Sequence, residues 1–333
     1  MLLIINDSSS AYYNLAAEEY LIDNFDEDIV MLWRNDNTVV VGKNQNTIEE
    51  IDSRYVEANG ISVVRRLTGG GAVFHDMGNV NYTIIQSYRE GLFSNYAYFT
   101  EAVCDFLQKL GVKAELSGRN DLLIEGKKFS GNAQCVRNGR MMHHGTLMFS
   151  SDVKDISGAL TPNQKKTESK GVRSVSSHVT NISSHMSEQN MNTEQFMMLL
   201  YEFYQQRFPV AVPYDLSPTD KAAIQKLTDE KYSTWEWNYG ASPAFAVSVS
   251  HKYDFGLVDV RLNVSRGRIK NIRIFGDYFG IKSICDIENL LTGVDYRNDA
   301  IAAALSSANL DEYISGMTAD ELTDLINVSP GGL

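Results

Sequence analysis

The residue types best suited to chemistry are gathered between positions 64 and 79, which read Val-Arg-Arg-Leu-Thr-Gly-Gly-Gly-Ala-Val-Phe-His-Asp-Met-Gly-Asn. Three consecutive glycines cost backbone entropy, and the usual compensation is a backbone whose N–H groups approach an anion closely. Neighbouring side chains on a strand point to opposite faces, so one of Arg65 and Arg66 faces the glycine loop, where its guanidinium can hold a carboxylate or phosphate. A tight turn is the alternative for the glycines alone. The Gly-Lys-Ser/Thr ending of a P-loop is missing.

A second candidate group lies on a predicted hairpin that runs from Asp121 to Ala133. Glu125-Gly126 is a typical two-residue turn, so Asp121 and Lys128 on the two flanking strands are expected to lie close together. By alternation, one of Lys127 and Lys128 faces away into solvent. The residues alone leave open whether Lys128 contacts a ligand or is a solvated surface lysine.

A third group follows at His143 and His144. Because neighbours on a strand face opposite sides, these two histidines cannot bind one metal ion, and a structural metal site is not expected. Gly145-Thr146 is the better candidate for close approach to a bound ligand. Further along, the serine- and lysine-rich stretch 161–187 predicts a surface loop, either simply solvated or a lid whose lysines meet a phosphate.

The elements that must position these groups mix helices and strands. Apolar spacing predicts helices over about 12–24 and 96–110, the second stopped by Gly111. Residues 29–33 and 38–41 flank Asn35-Asp36-Asn37 and are expected to form a hairpin. Further strands are expected at 62–65, 80–85, 114–116, 121–124, 127–134 and 141–149. Strands follow one another too often for regular βαβ alternation, so the prediction is an α+β fold with helices on one side of a largely antiparallel sheet.

Two places are candidate domain boundaries: the proline-rich stretch 208–218 and the region 245–252. After the second, residues 256–264 and 269–275 predict a hairpin around Ser265-Arg-Gly267. Two helices, near 283–292 and 296–326, are expected to complete this smaller unit.

Length, charge and cysteine usage exclude several classes of protein. The 333 residues suffice for two domains, and the net charge of −12 argues against binding to nucleic acid backbones. No apolar run approaches the roughly 20 residues needed to cross a bilayer, and the start Met-Leu-Leu-Ile-Ile-Asn-Asp lacks the features of a signal peptide. Three scattered cysteines favour a reducing compartment. We therefore expect a cytoplasmic protein without membrane or nucleic acid partners.

Taken together and in this order, the motifs resemble the lipoate-protein ligase family. The resemblance covers essentially the whole chain, through these blocks: Asn14-Leu-Ala-Ala-Glu-Glu19, Leu32-Trp-Arg-Asn35, Val39-Val-Val-Gly-Lys-Asn-Gln-Asn46, the loop 65–79, Gly118-Arg-Asn-Asp-Leu122, Lys128-Phe-Ser-Gly-Asn-Ala133, His143-His-Gly-Thr-Leu147, Ser169-Lys-Gly-Val-Arg-Ser-Val175, Trp235-Glu-Trp-Asn-Tyr-Gly-Ala-Ser-Pro243 and Phe275-Gly-Asp-Tyr-Phe279. It implies an α+β catalytic domain shared with biotin-protein ligases over 1–245, and a small α+β accessory domain over 250–333. It also favours 245–252 over the prolines as the boundary.

The resemblance implies a reaction in two steps. ATP, with Mg²⁺, activates free lipoate as lipoyl-AMP, and a specific lysine of an apo lipoyl domain or of the glycine-cleavage H protein then receives the lipoyl group. It implies that Lys128 contacts the acyl and phosphate oxygens, that Asp121 lies near the phosphate and the metal, and that Lys166 and Lys170 belong to a lid. Contacts to lipoate or its adenylate are implied for Trp33, Arg66, Thr68, Gly69, Gly70, Gly71, Val73, His75, Asn79, Asp121, Ala133, His144, Gly145 and Thr146. Two positions depart from the family pattern: Thr68 stands where serine is common, and Ser177-His178 replaces a common Ser-Arg.

Two other functions compete with this one. An octanoyl- or lipoyl-transferase on the same fold would need a nucleophile, commonly a thiol, and Cys135 lies just after the Lys128 motif. A non-catalytic lipoate-binding protein is the second alternative, and the presence of Lys128, Arg66 and Asp121 counts against it.

Overall fold

The computed structural model describes residues 1–118, 120–152, 158–160, 179–187, 190–239, 247–265 and 267–327. By its contacts the chain divides into two compact units. The first comprises Met1–Val41, Thr47–Leu67 and Ala72–Asn238, and the second comprises Gly42–Asn46, Thr68–Gly71 and Tyr239–Leu333. No helix of the described ranges is long and apolar enough to cross a membrane.

The first unit is built on a mixed eight-stranded sheet. Its strands are β1 (Leu2–Asn6), β2 (Ile29–Trp33), β6 (Asn79–Ser87), β7 (Glu115–Ser117), β8 (Asp121–Ile124), β9 (Lys127–Arg137), β10 (Arg140–Met148) and β11 (Val212–Pro213). They lie side by side in the order β11-β1-β2-β6-β10-β9-β8-β7. β1 pairs in parallel with β2 and β11, and the other pairs are antiparallel. A small sheet of β3 (Thr38–Val41), β4 (Ser62–Arg65) and β5 (Val73–His75) has β3 at its centre.

The helices of this unit lie on both faces of the large sheet, not on one as predicted. They are α1 (Ala11–Asn24), α2 (Thr47–Glu50), α3 (Ser53–Ala58), α4 (Tyr96–Lys109), α5 (Thr193–Arg207), α6 (Pro218–Leu227) and α7 (Trp235–Asn238), with a 3-10 turn at Ile182–His185 and a π-helix at Thr228–Tyr232. Val30 and Leu32 of β2 pack with α4 and α5, while Ile29 and Met31 pack with α1 and α6. Because β2 is apolar on both of its faces, it buries two layers of helices.

The predicted hairpin between 29–33 and 38–41 is wrong, since β2 and β3 belong to different sheets. The intervening Asn35 does not serve a two-strand turn. Its Oδ1 accepts a hydrogen bond from Asn14 Nδ2 at 2.9 Å, and the same amide of Asn14 donates to the Arg34 carbonyl at 2.9 Å. These contacts tie the connection to α1 and let β3 leave the large sheet.

The proline-rich stretch is not a linker. Val212–Pro213 forms the edge strand β11 beside β1, and Pro218 occupies the first turn of α6, where its missing N–H costs nothing. Ser217 and Asp220 close that helix start with a reciprocal capping box. The segment is therefore part of the first unit.

The second unit contains a three-stranded antiparallel sheet of β12 (Val247–Tyr253), β13 (Gly256–Ser265) and β14 (Arg268–Gly276). The predicted hairpin is thus present, and β12 adds a strand that the sequence analysis missed. The single helix predicted at 296–326 is wrong: α9 (Asn298–Leu305) and α10 (Ala319–Asn327) follow α8 (Ile284–Leu291), with a 3-10 turn at Leu310–Glu312 between them. Gly316, with φ of 90°, lies in the turn that interrupts the helical pattern.

Candidate functional site

A chain of buried hydrogen bonds links Trp33, Thr83, Glu18 and His144. Trp33 Nε1 donates to Thr83 Oγ1 at 2.8 Å, and that hydroxyl donates to Glu18 Oε1 at 2.6 Å. His144 Nδ1 lies 2.9 Å from the same carboxylate oxygen. Strand register explains the convergence, because Thr83 on β6 lies opposite both Met31 of β2 and His144 of β10. A carboxylate that is only 1 % exposed requires such partners, and these fix the rings of Trp33 and His144.

Arg66 follows β4 directly and is buried. Its backbone N–H donates to the Val41 carbonyl at 3.0 Å, and Nη1 donates to the Val40 carbonyl at 3.3 Å. Burial lowers the pKa of Arg66 from 12.5 to about 10, while the negative charge of Glu18 acts in the opposite direction. The guanidinium therefore keeps its charge at neutral pH and offers a buried cation to an anionic ligand.

His75 is a neutral, buried histidine with one ring nitrogen to spare. Burial, followed by the charges of Arg66 and His144, lowers its pKa to about 3. Asn35 Nδ2 lies 3.0 Å from Nδ1, and because Asn35 Oδ1 already accepts from Asn14, Nδ1 is the acceptor and Nε2 carries the proton. In the described ranges Nε2 has no hydrogen-bond partner.

Two further buried polar atoms without a partner in the described ranges lie on β6, at Asn79 Oδ1 and Asn81 Nδ2. The remaining amide atoms of this pair bond to each other, Asn79 Nδ2 donating to Asn81 Oδ1 at 2.9 Å. Buried polar groups are normally paired, so this pair offers an acceptor and a donor to a water molecule or a ligand. Asn79 was predicted from sequence and Asn81 was missed, although Asn-x-Asn at the start of a buried strand is a visible signal.

Lys128 and Asp121 form an ion pair, with Nζ 2.8 Å from Oδ1, as the hairpin predicted. The turn between their strands has Glu125 and Gly126 at φ of 50° and 77°, the geometry of a type I′ turn. An added Cβ on Gly131 would lie 3.1 Å from Lys128 Nζ, so the ammonium extends across this glycine. Thr146 Oγ1 accepts from the Gly131 N–H at 3.0 Å, and the fold thus gathers Lys128, Asp121 and Thr146.

The two neighbouring histidines diverge, as alternation predicted. His143 stacks on Phe99 with ring centroids 4.7 Å apart, and its Nε2 lies 3.2 Å from Asn132 Oδ1, on the face opposite to Glu18. Burial holds the pKa of His143 well below its usual range. An added Cβ on Gly145 would lie 2.2 Å from Asn132 Oδ1 and 2.6 Å from the Tyr82 ring. The protein's own packing therefore requires this glycine, and its contact with a ligand stays a prediction.

The glycine loop belongs by its contacts to the second unit, as Thr68–Gly71. Within that unit, the Gly70 N–H donates to the Tyr278 carbonyl at 3.4 Å, and an added Cβ on Gly69 would lie 2.3 Å from the same oxygen. Gly70 has φ of 91°, which favours glycine. Gly71 is different: no described atom would lie within 4 Å of its Cβ, and its φ is not in the left-handed region. Gly71 is thus required neither by packing nor by its own conformation.

The remaining predicted residues fall in three places. Ala133 on β9 is buried opposite His144, and Val73 begins β5 as a half-buried residue. Lys166 and Lys170 of the predicted lid lie outside the described residues. Sequence reasoning missed Glu18, because a glutamate within Asn-Leu-Ala-Ala-Glu-Glu reads as a solvated helix position. In the described ranges no group of three or more His, Cys, Asp or Glu side chains could hold a metal ion.

Comparison with known proteins identifies the family. Residues 10–205, more than half of the chain, match the model of the lipoyl protein ligase A/B catalytic domain. The chain belongs to the lipoate-protein ligase family. In this ligase, residues 242–326 match the model of the bacterial lipoate protein ligase C-terminus. The sequence is 44% identical to lipoate-protein ligase LplJ of Bacillus subtilis over 98% of this chain and 100% of that protein.

Solved structures agree with this assignment. The ligase is similar to P. falciparum LipL1, solved in complex with lipoate, with a TM-score of 0.82, 25% identity and coverage of 98% of this chain and 99% of that one. It is also similar to a lipoate-protein ligase A bound with ATP, with a TM-score of 0.62, 27% identity and coverage of 72% and 98%. The α+β fold, the accessory C-terminal part and the enzymatic nature expected from sequence are confirmed.

Proposed function

We propose that this ligase joins free lipoate to ATP as lipoyl-AMP and then transfers the lipoyl group to a lysine of an apo lipoyl domain or of the glycine-cleavage H protein. The observation that carries the proposal is the half-exposed ammonium of Lys128, held across Gly131 by Asp121. A cation that is fixed in place yet open to solvent suits substrate oxygens whose charge changes during reaction. The lipoate and the ATP named for the two similar structures support the choice of substrates.

In the first step, a carboxylate oxygen of lipoate attacks the α-phosphorus of ATP, and the bond to the pyrophosphate oxygen breaks. Two anionic groups must approach each other, so cations that offset their charge lower the barrier. Lys128 and Arg66 supply these cations, the first half-exposed and the second buried. We assign the glycine N–H groups at 69–71 to phosphate or carboxyl oxygens, as the sequence predicts.

In the second step, the neutral amine of the acceptor lysine attacks the carbonyl carbon of the mixed anhydride. An amide bond forms, the bond from the carbonyl carbon to the phosphate oxygen breaks, AMP leaves, and the amine releases a proton to solvent. Lys128 stabilises the oxygen that gains charge on the attacked carbonyl. This route requires no covalent bond to the enzyme, so no nucleophilic side chain is needed.

The apolar end of lipoate is assigned to the buried residues around the hydrogen-bond chain. Trp33, Val73 and Ala133 supply apolar surface, and the contacts of Trp33 with Thr83 and of His144 with Glu18 hold the two rings in fixed orientations. Thr68, His75, Asn79 and Thr146 supply hydrogen-bonding groups, of which His75 Nε2 and Asn79 Oδ1 are unpaired in the described part of the chain. Pre-organised walls of this kind reduce the entropy lost on binding.

Asp121 fits magnesium that arrives with the nucleotide. Its carboxylate lies beside Lys128, and Mg²⁺ in nucleotide enzymes commonly takes one or two carboxylates together with substrate phosphates and water. When bound there, Mg²⁺ would neutralise phosphate charge. We further propose, from sequence, that Lys166 and Lys170 shield the adenylate from water; an acyl-adenylate exposed to water is wasted by hydrolysis.

The proposal is tested with purified ligase, ATP, lipoate and an apo lipoyl domain. We expect mass spectrometry to show one lipoyl group on one acceptor lysine, with one AMP and one pyrophosphate formed per modification. An acceptor in which that lysine is replaced by arginine is the matched control and should remain unmodified. Modification without ATP, or formation of ADP in place of AMP, would contradict the proposal.

A further inference from the structure

The segment between the two matched family regions carries an unexpected set of contacts. Residues 206–241 lie between the matched ranges 10–205 and 242–326. Within the first unit, this segment ends in the π-helix Thr228–Tyr232 and in α7, Trp235–Asn238. Trp237 and Asn238 surround Arg65, the residue immediately before Arg66.

Both backbone polar groups of Arg65 are bound by side chains of α7. Its N–H donates to Asn238 Oδ1 at 2.9 Å, and its carbonyl accepts from Trp237 Nε1 at 2.9 Å. The guanidinium is held as well: Nε donates to the Trp237 carbonyl at 2.9 Å, and Nη2 donates to Thr47 Oγ1 at 2.6 Å and to the Asn238 carbonyl at 3.2 Å. We call these contacts the Arg65 clasp.

The clasp is itself anchored in the core of the first unit. Asn238 Nδ2 donates to the Tyr232 carbonyl at 2.6 Å and to the Thr234 carbonyl at 3.0 Å. Lys231 Nζ lies 4.0 Å from the centroid of the Trp237 ring and 2.6 Å from Glu19 Oε2, which also accepts from Tyr232 OH at 2.7 Å. Glu19 is next to Glu18 on α1. The clasp is therefore tied to α1 through Glu19, one residue from Glu18, whose charge acts on Arg66.

From this arrangement we infer that Trp237 and Asn238 are positioning residues for Arg66. The carbonyl that Trp237 binds belongs to the peptide group joining Arg65 to Arg66, whose N–H donates to the Val41 carbonyl. That peptide plane is thus held at both of its polar atoms, which fixes the direction in which the Arg66 side chain leaves the backbone. The inference rests on the proposed function, in which Arg66 binds substrate oxygens.

Trp237→Phe is the sharpest test, because it removes the indole N–H and keeps an aromatic ring over Lys231. We expect kcat/KM for lipoate-dependent exchange of pyrophosphate into ATP to fall about tenfold because Arg66 is less well positioned. The lost hydrogen bond should also lower the melting temperature by a few degrees, with the enzyme still folded at the assay temperature. Trp235→Phe, the same change at a side chain that is 52% exposed, is the matched control and should keep the parent rate. Asn238→Ala removes more contacts and should cost about 10²-fold, provided that it folds.

A double-mutant cycle separates positioning from general support of the fold. In an Arg66→Ala background, Trp237→Phe should cause no further loss, because its effect passes through the side chain already removed. Equal fold-losses in both backgrounds, or a Trp237→Phe enzyme with parental kcat/KM, would overturn the inference. The same double-mutant cycle can be measured without turnover, as the affinity for lipoate in the presence of a non-hydrolysable ATP analogue, by calorimetry. If the parent enzyme binds lipoate and the analogue but shows no exchange, the proposed function is contradicted. If the two substitutions cause additive losses of affinity, the positioning of Arg66 by Trp237 is contradicted.

Discussion

Lys128 Nζ lies 2.8 Å from Asp121 Oδ1, and both side chains are more than one-third exposed. An ion pair this accessible to water contributes little to stability. The ion pair positions the Lys128 ammonium, because Asp121 holds it across Gly131 and can release it to a more strongly charged phosphate oxygen. The pair is thus suited to position a cation for substrate and unsuited to support the core.

Lys128→Ala should lower the overall rate of lipoylation by about 10²–10³, the usual cost of one pre-organised electrostatic contact, and leave the melting temperature unchanged. Lys127→Ala is the matched control, because its exposed side chain leaves the opposite face of β9 and its loss should change the rate only a few-fold. Supplying preformed lipoyl-AMP separates the two steps, since recovery would restrict Lys128 to adenylation. An inactive Lys127→Ala enzyme beside an active Lys128→Ala enzyme would show that the wrong lysine has been assigned.

Gly71→Ala and Gly145→Ala should fail in opposite ways. At Gly71 no described atom lies near an added methyl group, so stability should be kept, whereas adenylation should fall by at least about tenfold because the methyl group meets substrate. At Gly145 the methyl group meets Asn132 and Tyr82, so the free energy of unfolding should drop by about 1–3 kcal/mol. Thermal unfolding measures the stability of each variant, and lipoate-dependent exchange of pyrophosphate into ATP measures its adenylation. Loss of stability at Gly71, with normal adenylation, would remove this residue from the site.

His75 should make the ligase less stable in mild acid. Its pKa is about 3 in the folded protein and about 6.5 when unfolded, so between these values the unfolded chain binds the extra proton and stability falls as pH falls. The free energy of unfolding at pH 5 should be about 2 kcal/mol lower than at pH 8. His75→Gln should reduce the pH dependence of urea unfolding by this amount, whereas His251→Gln, at an exposed position, should not. Identical slopes in all three proteins would refute the assignment of a neutral, buried His75.

Cys135 should be dispensable for catalysis. Its side chain is 9% exposed within an apolar cluster, a poor setting for a thiolate nucleophile. Cys135→Ala should keep lipoylation within a few-fold of the parent and cost about 1 kcal/mol of stability. Cys104→Ala is the comparison, because burial and Asp105 raise the pKa of that thiol to about 11. Loss of transfer in Cys135→Ala alone would favour an acyl-enzyme transferase.

Local patterns predicted much of the fold. The helices α1 and α4, the hairpin of Asp121 and Lys128, and the opposite faces of His143 and His144 depend on short-range rules of spacing and turn geometry. The candidate site residues came from the resemblance to the family, because periodicity carries no information on which side chains bind a ligand.

The misses have a common physical cause, namely contacts between residues far apart in sequence. The divergence of β2 from β3 depends on Asn35 bonding to Asn14 and His75, and the buried role of Glu18 depends on Thr83 and His144. Asn238 meets Arg65 across 173 positions of sequence. Polar side chains in such places resemble solvated ones until tertiary structure supplies their partners.

Lipoate-dependent exchange of labelled pyrophosphate into ATP reports on adenylation alone, because it requires reversible formation of lipoyl-AMP and no acceptor protein. We predict exchange by the parent ligase only when lipoate is present, and exchange reduced by about 10²–10³ in Lys128→Ala. Absence of lipoate-dependent exchange in an enzyme that still transfers a lipoyl or octanoyl group from a carrier protein would show that the enzyme does not form lipoyl-AMP.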